Sequence, residues 1–131
     1  MIIMEKLIEA AKKAREKAYC PYSGFSVGAA LMTKSGKIYE GANIENSSFS
    51  ATVCAERVAL FSAIISGERE FSGVAIAGGK GDALSEACPP CGVCRQALSE
   101  FCEKDMKVYI VGENNVIETT LGELLPLSFS L

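Results

Sequence analysis

Two short motifs, Cys54-Ala55-Glu56 and Pro90-Cys91-Gly92-Val93-Cys94, restrict the fold of this chain more than any other feature. Each stands where a helical periodicity begins, so each opens a helix. For the motifs to act together, the fold must bring two helix N-termini side by side. Cys91 and Cys94 are three residues apart. In a first helical turn their side chains share a face and can chelate one ion. Cys54 supplies a third thiolate from the start of the preceding helix. Three soft ligands beside a carboxylate that is not needed as a ligand suit a zinc ion with one position open for water. That is the donor set of a hydrolytic site rather than of a structural clip.

The chain has 131 residues, enough for one domain and too few for two good cores. Nearly half of them are apolar and the net charge is -3, so an ordered core is expected and a nucleic-acid partner is not. No apolar run is long enough to span a membrane. Met1-Ile2-Ile3-Met4 is interrupted at once by Glu5 and Lys6, too soon for a signal peptide, so a cytoplasmic protein is expected. Six cysteines in a reducing compartment point to metal or catalysis rather than disulfides. The chain contains no histidine, which excludes Ser-His-Asp and Cys-His catalysis.

Periodicity orders the rest. Glu5 to Ala18 has the apolar spacing of an amphipathic helix. Val27 to Met32 reads as a strand covered on both faces, joined through Ser35-Gly36 to a partner over Lys37 to Glu40. Asn43 to Ser50 is a polar loop. A helix follows over Ala55 to Ile65, then a short strand over Val74 to Ala77 and a long loop from Gly78 to Pro90. A third helix runs from Cys91 or Gly92 to about Cys102. Strands over Lys107 to Val111 and Val116 to Thr119 precede Thr120-Leu121-Gly122-Glu123, a capping box that opens a short last helix. This order implies an α/β protein with one mixed sheet of about five strands and helices on both faces.

Helix N-termini favour negative charge and help hold thiolates at neutral pH. Arg57 lies three residues from Cys54 on one helix face and can offset the charge of three thiolates. Glu56 is two residues from Cys54 and does not share its face. It still reaches the fourth ligand, the water, when the ion lies off the helix end, and there a carboxylate can move protons. Standing alone, Glu56 would pass as an acidic residue favourable in a first turn. Cys88 also forms a C-x-x-C pair with Cys91, so it competes as a ligand. Pro89 and Pro90 hold it extended and away from the helix-borne pair, and an iron–sulfur run would need a further cysteine that is missing. Cys20, Cys88 and Cys102 are therefore expected to be idle thiols.

Together these residues resemble the cytidine deaminases of the small homotetrameric, zinc-dependent type. The resemblance is carried in order by Pro21-Tyr22-Ser23-Gly24-Phe25-Ser26-Val27-Gly28-Ala29-Ala30 and Asn43-Ile44-Glu45-Asn46. It continues through Cys54-Ala55-Glu56-Arg57, Pro90-Cys91-Gly92-Val93-Cys94-Arg95-Gln96 and Leu124-Leu125-Pro126. It implies a three-layer α/β/α sandwich over residues 1–131, zinc on Cys54, Cys91 and Cys94, and Glu56 as proton shuttle. It implies further that Asn43 and Glu45 bind the ribose hydroxyls, that Phe25 stands beside the pyrimidine, and that the backbone of Ala55 contacts the base. Phe129 matches a phenylalanine inserted into a neighbouring subunit's site. The implied reaction is hydrolytic deamination of cytidine and deoxycytidine in pyrimidine salvage.

The chain departs from the family in three places. Phe49 stands where many relatives carry tyrosine, Cys88 is an addition, and the chain ends soon after Phe129. Two other readings compete with the nucleoside enzyme. A blasticidin-type deaminase shares the chemistry with another substrate. A structural zinc module would recruit a fourth protein ligand, Cys88 foremost, and would leave Glu56, Asn43 and Glu45 without a task.

Overall fold

The computed structural model describes residues 2–131. Helix α1 (Ile2–Ala14) ends in a 3-10 turn over Arg15–Lys17, so the helical segment stops short of the Ala18 boundary expected from its periodicity. Strands β1 (Phe25–Thr33) and β2 (Ile38–Ala42) form the anticipated hairpin. At its tip Gly36 takes φ 97°, and the buried Thr33 hydroxyl accepts the Lys37 N–H at 3.0 Å. Helix α2 (Ala55–Ile65), strand β3 (Phe71–Lys80), helix α3 (Gly92–Phe101), strands β4 (Lys107–Val111) and β5 (Val116–Thr120), and helix α4 (Leu121–Leu124) complete the order.

The five strands form one sheet in the order β2-β1-β3-β4-β5. All neighbours are antiparallel except β3 and β4, which the α3 crossover makes parallel. Strand β3 is the largest departure from the sequence reading. Only Val74 to Ala77 has a strand-like composition, yet β3 pairs with β1 from Phe71↔Thr33 to Lys80↔Phe25. Gly73, Gly78 and Gly79 carry little strand propensity of their own, and the ladder of β1 keeps them extended.

Helices cover both faces of the sheet, the three-layer arrangement expected. On one face α1 sets Leu7 and Ala11 against Ala30, Met32, Ala75, Ala77 and Val111. On the other, α2 and α3 bury Ala59, Leu60, Ala63 and Leu98 against Leu31, Val74, Ile76, Val108 and Ile110. Six residues of β1, from Gly28 to Thr33, are buried in succession, as a strand covered on both sides requires. Leu60, Ile76 and Leu98 are fully buried, and each such side chain contributes about 2 kcal/mol through area removed from water. Both site-bearing helices thus start on the same face, beside the central strands.

Candidate metal centre

Helices α2 and α3 begin at cysteine. Cys54 and Cys91 occupy the N-cap positions with extended backbone (ψ 155° and 168°), and neither thiol caps an N–H group of its helix. The Sγ atoms are thereby free to meet. Cys54 and Cys91 stand 3.7 Å apart, Cys91 and Cys94 3.5 Å, and all three sulfurs lie within 4.8 Å of one another. Tetrahedral coordination at a Zn–S length of about 2.3 Å asks for sulfurs about 3.8 Å apart. The trio therefore fits a zinc ion closely and is far too open for a disulfide. Cys94 is buried, Cys54 half-buried and Cys91 exposed, which leaves a way in for an ion.

The protonation chemistry agrees with that use. The Cys54 thiol is pulled down to about 5, first by its hydrogen bond with Cys94 and then, against burial, by Arg57. Cys94 moves the opposite way, because it holds the proton shared with Cys54 and because it is buried. Arg57 donates from Nη2 to the Cys54 Sγ at 3.5 Å, the pairing expected from their i, i+3 spacing. Its charged form is favoured chiefly by that hydrogen bond. Among the described residues, Arg57 Nε is the one buried side-chain polar atom without a partner.

Glu56 is 4% exposed in the first turn of α2. Its carboxyl is raised to about 7, chiefly by burial and with help from the nearby Cys54 charge, while a hydrogen bond to its own backbone, the Cys94 thiol and Arg57 work the other way. A carboxyl poised near neutrality can both take and give a proton. Ala55, between Cys54 and Glu56, is completely buried.

Cys88 stays outside the sulfur cluster. It packs instead against Gly78 of β3, and burial lifts its thiol to about 11. A fourth thiolate therefore does not close the site, which removes the main support for a structural module. Cys102 is likewise an apolar thiol, raised to about 12 by burial.

The other expected site residues are each held by partners of their own. Asn43 opens the loop that the sequence predicts, directly after β2, and is buried there. Its Oδ1 accepts the Val27 N–H and its Nδ2 donates to the Phe25 carbonyl, both at 2.9 Å, so its amide extends the pairing with β1. Glu45 is half-buried, accepting the Tyr22 N–H at 2.9 Å and the Ser23 N–H at 3.1 Å. The Ser23 hydroxyl, which also donates to it, is the main reason its pKa is lowered. Phe25 opens β1 with its ring beside Gly78. Phe129 is 68% exposed, and its carbonyl accepts from Gln96 Nε2 at 3.4 Å. Phe49, also exposed, meets Tyr22 edge to face with centroids 6.4 Å apart.

Two arginines whose side chains brace loops of the fold were given no role by the sequence reading. Arg95 donates to the Pro90 carbonyl and to the Leu124 carbonyl, both at 2.8 Å, fixing the segment that delivers Cys91. Arg15 donates to the carbonyls of Ser26 at 3.1 Å and of Gly81 and Ala83 at 3.0 Å, tying the loop after β3 to α1. Except for Pro90, their partners are backbone oxygens distant in sequence that only the fold brings close. The placement of Arg95 directly after Cys94 was the one available signal.

A mixed α/β sandwich that presents three thiols and a buried acid from two helix starts has the donor set of a zinc-dependent hydrolase. Residues 1–111 match the family model described as the cytidine and deoxycytidylate deaminase zinc-binding region. The chain belongs to that family. It is 49% identical over 128 residues to a cytidine deaminase of Sporosarcina psychrophila, covering 97% of this chain and 91% of that protein. A cytidine deaminase of Halalkalibacterium halodurans is 46% identical over 127 residues, covering 96% and 93%. The crystal structure of cytidine deaminase from Burkholderia pseudomallei superposes with a TM-score of 0.87 at 45% identity, covering 95% of this chain and 98% of that one.

Proposed function

We propose that this protein is a cytidine deaminase, converting cytidine and deoxycytidine to uridine and deoxyuridine with release of ammonia. The observation that carries the reading is the buried Glu56 carboxyl beside three converging thiols, in a family whose members bind zinc. Cys54, Cys91 and Cys94 would hold the ion. Zinc bound there supplies a Lewis acid that brings the pKa of water toward about 7.

The chain's own residues do the rest. Glu56 takes a proton from the attacking water and passes it to ring N3, which makes C4 electrophilic. The water oxygen bonds to C4. A second proton, carried by Glu56 from that oxygen, reaches the exocyclic nitrogen as the C4–N bond breaks. Cytidine and water thus become uridine and ammonia, with every proton accounted for. Arg57 balances the thiolate charge through Cys54. Asn43 and Glu45 hold the ribose hydroxyls, Phe25 flanks the pyrimidine, and the Ala55 backbone contacts the base. With its amide already fixed to β1, Asn43 offers its remaining donor and acceptor in a set direction.

The proposal includes a homotetramer in which Phe129 enters a neighbouring subunit's site. Apolar surface supports it: Phe61 and Ile65 on α2 and Leu127, Phe129 and Leu131 at the C-terminus are all exposed. Residues 1–131 act as one catalytic unit in cytoplasmic pyrimidine salvage, where thiols stay reduced. No described helix is long and apolar enough to cross a membrane. Loss of cytidine absorbance on mixing with protein, abolished by a chelator and restored by zinc, tests the reading directly. Turnover of blasticidin S in preference to cytidine would replace the nucleoside with that antibiotic as substrate.

A further inference from the structure

Gly41 lies in β2, opposite Ala29 of β1 and fully under the first turn of α2. A Cβ built on it would run into the Ala55 carbonyl oxygen and the Ala59 nitrogen, with the Ala59 Cα at 3.0 Å. These are backbone atoms, which cannot swing aside as a flexible side chain does. Ala55 is the residue between Cys54 and Glu56, so the carbonyl that rests on Gly41 belongs to the peptide bond leading into the acid. The sheet-facing side chains of α2 at this level, Ala55, Ala59 and Ala63, are completely buried and add almost no height of their own. The separation between β2 and the start of α2 is therefore set by bare backbone on one side and alanine on the other.

A similar device serves the opposite face. Gly28 of β1, paired with Ala42, would bring a Cβ into the Ala11 carbonyl of α1 and to 2.7 Å from the Arg15 nitrogen. That contact docks a helix carrying none of the proposed catalytic groups. The two glycines occupy neighbouring rungs of one hairpin and seat helices on opposite sides of it, so they form a matched pair for experiment.

We infer that Gly41 is a positioning residue: it seats the first turn of α2 so that the Glu56 carboxyl stands correctly against the sulfur trio. The inference rests on the assignment of Cys54 and Glu56 to the metal site. The α3 ligands Cys91 and Cys94 are carried by another helix, so lifting α2 moves Cys54 and Glu56 relative to them rather than moving the centre as a unit. Relieving the Gly41 overlap requires a lift on the order of 1 Å, and misplacement by that amount costs about 10²-fold in rate.

The test compares Gly41→Ala with Gly28→Ala in cobalt-loaded protein, reading the ligand-field and thiolate charge-transfer bands, kcat and Tm. Both variants should lower Tm. Gly41→Ala should also shift the cobalt bands and reduce kcat by about 10²-fold. Gly28→Ala should leave the bands in place and kcat near wild type. Should Gly41→Ala fail to fold, Ala59→Ser pushes the same helix from its own side and should give a smaller shift of the same sign. Unshifted bands with wild-type kcat in the α2 variants, or an equal shift in Gly28→Ala, would overturn the inference. Wild-type protein that takes up no cobalt would overturn the metal-site assignment and this inference with it.

Discussion

Helix α4 and helices α2 and α3 begin in opposite ways. At α4 the Thr120 hydroxyl accepts the Glu123 N–H at 3.3 Å, the cap its sequence announces, and donates to the Glu123 carboxylate at 3.2 Å. At α2 and α3 the same position holds Cys54 and Cys91, and their side chains cap nothing. Serine or threonine there would satisfy a helix N–H and stabilise the protein by about 1 kcal/mol. The chain forgoes that at both helices that carry chemistry. The difference teaches that these two N-termini are built to meet a cation, with the positive end of each helix dipole holding thiolate charge.

The comparison can be broken most sharply at Cys91. Cys91→Ser should abolish metal uptake and turnover while raising the stability of the metal-free protein by up to about 1 kcal/mol over wild type, measured by denaturant unfolding. A serine variant that still carries a full complement of zinc would remove the distinction between the two kinds of helix start.

Glu56→Gln comes next. The acid lies in the uncapped turn and the proposed mechanism gives it protons rather than the metal, so zinc content should stay at one per chain. The rate should fall by about 10² to 10⁴, the usual worth of a positioned proton-transfer group. Metal analysis and steady-state kinetics on one preparation check both halves.

The smallest effect belongs to the capped helix. Thr120→Ala should cost about 1 kcal/mol of stability and leave kcat and zinc content unchanged. A kinetic effect larger than the stability loss would tie α4 to the site and blur the contrast.

How much of this was visible in the residue string follows from the same division. The shared face of Cys91 and Cys94, the first-turn position of Glu56 and the Arg57–Cys54 pairing are local, set by spacings of two and three residues at a helix start, and they were legible. So was β1, since burial on both faces leaves an unbroken apolar run. The ends of β3 were not, because Gly78 and Gly79 are extended by pairing with β1 rather than by their own preference. Asn43 was rightly placed in a loop, but no local pattern shows that its amide will be buried against β1. Arg15 and Arg95 act on carbonyls far away in sequence or irregular in conformation, and only the assembled fold brings those atoms to them.

The central claim is that three cysteines bind the cation and leave one position to solvent. Zinc-edge X-ray absorption of the purified protein measures this directly. The account predicts three sulfur neighbours at about 2.3 Å and one lighter atom at about 2.0 Å. Four sulfurs, with Cys88 drawn in from beside Gly78, would contradict it.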